Sequence, residues 1–240
     1  MLKYFLFILF FFSFNNLSGM DKPYHHIYKD GGLFAFRNPE GGPQRDPNFK
    51  WKWKVFREEK KKLKINYPPE HVIDKQIVLK NLQRHKSDSF VMWLDHASFI
   101  IKLGDTTIIT DPVFEKNYGP LWFGPKKFVD SPLTLKELPK INVFLLTHNH
   151  YDHMSIRTIK NFPYKNSKAL MPLKLGKYFT RNGYNKNNVK EMDWFDKIKI
   201  NDDVTITMLP AQHWSKRWIW GEGNNNRSLW GSFLIEYKGK

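Results

Sequence analysis

The stretch THNHYDHM, residues 147–154, follows the apolar run VFLL at 143–146 and places His148, His150, Asp152 and His153 within six residues. Neutral imidazole and carboxylate are the ligands Zn²⁺ prefers where no thiolate is available. The spacing does not suit a helix, in which two histidine ligands on one face stand four apart. His148 and His150 are two apart, and in extended chain such residues share a side. Asp152 and His153 must then turn back, which requires a loop. A strand ending in a metal-binding loop at the rim of a sheet meets both conditions. It leaves room for two adjacent ions, His148 and His150 on one, Asp152 and His153 on the other. The bland alternative is a polar loop of solvated histidines.

Outward from this loop the chain reads as short strands, then strand–helix units. Residues 90–94, 98–103 and 106–110 are apolar or β-branched runs, with Gly104-Asp105 as a hairpin turn. Helices are expected at 72–82, 156–161 and 173–182, the last ended by Gly183. Strands are expected at 169–171, 189–192, 204–209 and 229–237. Residues 22–47 look loop-like, with two Gly-Gly pairs. The stretch FKWKWKVFREEKKKLK, 49–64, reads either as an element at a membrane surface or as an edge strand followed by a solvated helix face.

Composition bounds the partners. Lys and Arg number 39 against 23 Asp and Glu, a formal charge of +16 over 240 residues. Such an excess favours anionic surfaces, although a general richness in Lys and Asn produces it equally. The absence of cysteine excludes disulfides and thiolate zinc sites. A lysine at position 3 and eleven residues at 4–14, apolar or aromatic apart from Ser13, read as a secretory signal peptide or an N-terminal membrane anchor. The run is short for a span, which needs about 20 residues. The expected organisation is a signal or anchor at 1–19, an extension at 20–89 and the metal-binding domain at 90–240. Export or membrane association is expected with it.

The HxHxDH pattern resembles the signature of the metallo-β-lactamase superfamily. Its flanks are WLDHASF (93–99), TDPVF (110–114), GPKKF (124–128), SPLTLKELPKIN (131–142), EMDWF (191–195), PAQHWSKR (210–217) and LWGSF (229–233). Together with FRNPE (36–40), they resemble one branch, the phospholipases D that hydrolyse N-acylphosphatidylethanolamine. The resemblance runs from Phe36 to about Glu236. HxHxDH alone points only to the superfamily; the flanks specify the branch.

The resemblance implies an α/β fold, an αββα sandwich, incomplete at its C-terminal side. It makes His213 the third ligand beside His148 and His150, a three-imidazole site with an open position. Spacing alone would not single out His213. Asp152 and His153 begin a second Zn²⁺ site, with Asp152 also orienting the nucleophile. The bridging aspartate and last histidine that complete this site in the family have no counterpart in the chain. His96 and Asp111 take supporting places that orient ligands. Asp95 stands where the family has glycine and, if φ is positive there, carries strain and adds negative charge beside His96. Lys216 or Arg217 would offset charge on a phosphodiester, and Trp214, Trp218, Trp220 and Trp230 form either an apolar wall or core packing. His25, His26, His71 and His85 fit no ligand spacing.

The implied activity is metal-assisted hydrolysis of a phosphodiester in a phospholipid at a membrane surface. The alternatives are hydrolysis of a lactone, β-lactam or RNA, or an inactive zinc-binding fragment. No specific nucleic-acid motif is present, and the oligomeric state is not encoded legibly.

Overall fold

The computed structural model describes residues 22–40, 58, 72–119, 124–127, 129–217 and 225–240. The N-terminal apolar run, nearly all of the Trp- and Lys-rich stretch at 49–64, His71, Trp218 and Trp220 lie outside the described residues.

The N-terminal segment, expected to be loop, contains a hairpin. β1 (His26–Lys29) and β2 (Gly32–Phe36) pair antiparallel. Asp30 and Gly31 between them both have positive φ, 51° and 75°, the conformation an Asp-Gly hairpin turn requires. Phe36 at its end is fully buried. The first helix, α1 (Lys75–Arg84), begins later than its apolar residues suggest. Asp74 caps it by accepting from the Gln76 amide at 2.8 Å, which leaves Val72 and Ile73 exposed ahead of the cap.

A six-stranded sheet follows, in the order β3 (Phe90–Asp95), β4 (Ser98–Leu103), β5 (Thr106–Thr110), β6 (Val143–Leu145), β7 (Lys168–Pro172), β8 (Val189–Met192). The first three strands are antiparallel neighbours; β5 through β8 run parallel. Parallel strands need crossovers, and α2 (Ile156–Asn161) and α3 (Gly176–Thr180) supply two. Three antiparallel strands, β9 (Lys197–Lys199), β10 (Val204–Leu209) and β11 (Ser232–Tyr237), form another sheet in the order β11-β10-β9.

The central strands are apolar at successive positions because both their faces are covered. Ile109, Phe144, Ala169 and Met171 face a core that includes Val78 of α1, Ile159 of α2 and Phe179 of α3. Ile108, Val143, Leu145 and Leu170 face the other way, onto Val204, Ile206 and Met208 of β10 and onto Phe36, Trp194 and Trp230. Helices, six-stranded sheet and second sheet are three consecutive layers of an α/β sandwich.

Three expectations shift for local reasons. α3 covers only Gly176–Thr180, because Lys174 has φ of 72° and interrupts any helix there. The Glu191 side chain accepts from the Gly176 amide at 2.6 Å, serving the exposed first turn. The last strand begins at Ser232, since Leu229 and Trp230 are committed to the core. Gly231 joins Trp230 to the strand, at a point where a Cβ would come within 2.6 Å of the Leu209 carbonyl oxygen.

The expectation for Asp95 is also corrected. The positive φ belongs to His96, at 34°, and Asp95 ends β3. Its carboxylate turns away from the loop and pairs with Lys127, the two side chains being 3% and 2% exposed. Lys127 also donates to the Val113 carbonyl. A buried pair costs far more when halved than when replaced as a unit. Lys127→Met should destabilise the fold by about 3–5 kcal/mol, and Asp95→Leu/Lys127→Met should recover most of that loss. Urea unfolding of the two variants checks both statements.

Candidate metal centre

Every candidate ligand leaves a strand end on one rim of the sandwich. His96 lies in the β3–β4 turn, Asp111 just beyond β5, His148 to His153 beyond β6, and His213 beyond β10. The Asp111 amide donates to the Leu145 carbonyl at 2.9 Å, which fastens the end of β5 to the start of the loop. The sheet thus delivers His148 and His213, 65 apart in sequence, to one place, with His96 and Asp111 from still earlier in the chain beside them.

His148, His150 and His213 converge. His148 Nε2 is 3.0 Å from His150 Nδ1 and 3.0 Å from His213 Nε2, and His213 Nε2 is 3.3 Å from His150 Nδ1. Each of these nitrogens carries either a proton or a lone pair. Three nitrogens with two states must include at least one matched pair, so hydrogen bonds alone cannot satisfy the triangle. Four-coordinate Zn²⁺ with Zn–N of 2.0–2.1 Å separates its ligand nitrogens by about 3.3–3.4 Å, close to what is seen. The tautomer of His148 agrees. Thr147 donates its hydroxyl to Asp111 Oδ2 at 2.5 Å, so that hydroxyl accepts from His148 Nδ1 at 2.9 Å. The lone pair of Nε2 therefore points into the triangle. The residues fit a metal ion.

A second cluster stands beside the first. His96 Nε2 is 3.2 Å and His153 Nε2 3.8 Å from Asp152 Oδ2. His153 donates its Nδ1 proton to Asp111 Oδ2 at 2.8 Å, which again turns the free nitrogen toward the cluster. His96, Asp152 and His153 bring their donor atoms within 4.8 Å of one another. His96, expected in a supporting place, stands among the possible ligands, whereas Asp111 is placed to orient. The backbone of both is strained, with φ of 34° and 39°.

Electrostatics keeps the triangle ready for a cation. Burial, reinforced by the neighbouring imidazoles, holds His148 far below the ordinary imidazole value and His150 at about 4. Burial lowers His213 as well. His153 is pulled down by burial, but the hydrogen bond and charge of Asp111, with Asp152, outweigh this and leave it raised.

The other expected side chains divide. Arg217 is half-buried and its Nη1 donates to the loop carbonyls of Asn149, at 3.3 Å, and Met154. It also lines, with Lys216 and Trp214, a cleft of about 410 Å³ whose other walls are Tyr118, Pro125, His150, Tyr151 and Asp152. Trp214 lies against both His150 and His213, whereas Trp230 is fully buried and belongs to the core. Asn38 escaped the sequence reading. Its Oδ1 accepts from the His213 amide at 2.8 Å, across 175 positions. The signal was its place in FRNPE, beside the only fully buried residue of the hairpin.

The family model described as Beta-lactamase superfamily domain matches residues 106–240. Over 151 residues the chain is 31% identical to the N-acyl-phosphatidylethanolamine-hydrolyzing phospholipase D, mitochondrial, of Saccharomyces cerevisiae, covering 61% of this chain and 31% of that protein. Over 159 residues it is 31% identical to N-acyl-phosphatidylethanolamine-hydrolyzing phospholipase D 1 of Caenorhabditis elegans, covering 62% and 44%. The match therefore spans less than half the length of these relatives. Igni18, a metallo hydrolase of Ignicoccus hospitalis, is similar with a TM-score of 0.45 and 18% identity, covering 62% of this chain and 56% of that one.

Two outcomes follow from the geometry. Asp111→Asn should weaken metal binding about 10–100-fold, because the tautomer and direction of His153 lose their fixed acceptor; equilibrium dialysis against Zn²⁺ measures this. In the metal-free protein, His150 binds fewer protons folded than unfolded between about 4 and 6.5. Its contribution to stability is therefore complete above about 6.5 and is lost as the pH falls toward 4. His153, shifted the other way, contributes a constant below 6.5. Calorimetric melting of the chelator-treated protein should show stability falling across that window.

Proposed function

The chain belongs to the metallo-β-lactamase superfamily, whose family model matches more than half of it, and we propose that it is a zinc-dependent hydrolase, a phosphodiesterase of the phospholipase D type acting on N-acylphosphatidylethanolamine-like phospholipids. The convergence of three imidazole nitrogens within 3.3 Å carries the metal-dependent part. The two relatives of that named activity support the substrate class.

His148, His150 and His213 would hold one Zn²⁺, and Asp152 and His153, with His96 alongside, would hold another. Such ions supply Lewis acidity toward a phosphoryl oxygen and a lowered pKa for water. Asp152 accepts a hydrogen bond from the attacking water on Oδ2 and orients it. Asp111 keeps the proton of His153 on Nδ1, away from the reaction. Lys216, at the mouth of the cleft, attracts the phosphate anion, and Trp214 and Tyr118 offer apolar area to the adjoining chain. Water adds to phosphorus, the bond from phosphorus to the ethanolamide oxygen breaks, and the departing oxygen takes up a proton. The products are phosphatidic acid and an N-acylethanolamine.

We infer further that the protein works at a phospholipid surface and is exported or membrane-associated. The net charge of +16 and the apolar run at 4–14 support this. Among the described residues no helix is long and apolar enough to cross a membrane.

His148→Ala should reduce release of N-acylethanolamine from N-acylphosphatidylethanolamine vesicles to the background rate. Full retention would sink the metal-dependent reading. Activity confined to a lactone, β-lactam or RNA in a substrate panel would sink the phospholipase reading alone.

A further inference from the structure

His25 and His26 fit no ligand spacing in the sequence, yet the fold brings both to Asp193, just past β8. His25 Nε2 is 2.6 Å from Asp193 Oδ1 and His26 Nε2 is 2.7 Å from Oδ2, with side chains 11%, 8% and 21% exposed. We propose that His25, His26 and Asp193 form a separate, structural metal site for a transition-metal dication such as Zn²⁺. The site stands apart from the rim centre and does not depend on the proposed function.

The hydrogen bonding leaves a gap that a cation fills. Oδ1 of Asp193 is engaged by His25 and by the Trp194 amide at 2.8 Å. His26 Nε2 is buried and close to Oδ2 but out of line for a hydrogen bond, so it has no partner in one. The other ring nitrogen, Nδ1, is 3.3 Å from the Tyr28 hydroxyl. A buried ring nitrogen facing a carboxylate oxygen without a hydrogen bond is a polar contact that carries a penalty unless something positive lies between. The donor set suits the occupant: two imidazoles and one carboxylate are ligands for Zn²⁺. All three residues place donor atoms within 4.8 Å of one another. Stacking of the His25 ring on Trp194, centroids 4.1 Å apart, fixes its direction in advance. Ligand atoms on Zn²⁺ stand about 3.3 Å apart, so the ion opens the present contacts of 2.6 and 2.7 Å by about 0.6–0.7 Å, which side-chain rotation can supply.

The location gives the site its role. The Arg37 amide donates to the His25 carbonyl at 3.0 Å, and Asn38 one residue on holds the His213 amide. An ion at His25 and His26 would staple the N-terminal hairpin to the loop after β8 and thereby steady the anchor of the third imidazole of the rim centre.

The test uses the full chain, stripped with chelator and dialysed against micromolar Zn²⁺, with zinc per chain read by elemental analysis. His26→Gln and Asp193→Asn should each bind one zinc fewer than the wild type. In His148→Ala/Asp152→Ala/His153→Ala/His213→Ala, which removes ligands from both rim clusters, zinc should still raise the melting temperature, and adding His26→Gln should abolish that rise. Unchanged stoichiometry in both single variants would overturn the proposal and leave a hydrogen-bonded clamp. So would a zinc-dependent rise that survives His26→Gln. Loss of zinc in His148→Ala alone would do so too, while leaving the proposed function standing.

Discussion

The carboxylate of Asp111 is the constraint on which the rim centre depends. It is 1% exposed, sits on a strained backbone just beyond β5, and accepts three hydrogen bonds: from the Thr147 amide, the Thr147 hydroxyl and His153 Nδ1. Through Thr147 it fixes the tautomer of His148, and directly it fixes that of His153. One buried group therefore presents lone pairs from two different clusters. Its own charge is offset by donors on the loop it organises, which is how a buried carboxylate becomes tolerable. The strain at φ 39° stores energy that a less determined site would release by rearrangement.

That arrangement rests on the layering. β5 and β6 are buried on both faces, so neither can slip in register without exchanging its entire apolar set between two cores. The strand ends are consequently fixed in height, and the loop after β6 inherits that precision. Arg217 also grips the loop carbonyls, so the loop is held from the sheet and by this side chain.

Much of this was legible in the sequence because it is written in local patterns. THNHYDHM holds four of the side chains that the two clusters bring together, and the strands at 90–110, 189–192 and 204–209 appear as alternation or β-branched runs within a residue of their observed bounds. What escaped is non-local or depends on one backbone angle. The hairpin at β1 and β2 hid inside a glycine-rich stretch, although Asp30-Gly31 between apolar runs was its signal. α3 was overread because periodicity cannot show that Lys174 adopts a left-handed conformation. Asp95 is read only against the family's glycine at its position, whereas its partner Lys127 lies 32 positions away, beyond the reach of spacing arguments. His25, His26 and Asp193 are 168 positions apart and carry no joint signal at all.

The hydrogen bond from the His213 amide to Asn38 also sets the order in which the molecule can assemble. The contacts that tie the loop to Asp111 close over 36 to 42 residues. Closing a loop of 175 residues costs more chain entropy, though only logarithmically more, and it brings no return until both ends are already shaped. During synthesis the bond between Asn38 and His213 must wait until the chain beyond β10 has emerged. The third imidazole is thus the last to be seated, and a half-made chain has its loop ligands gathered before the group that completes their triangle exists.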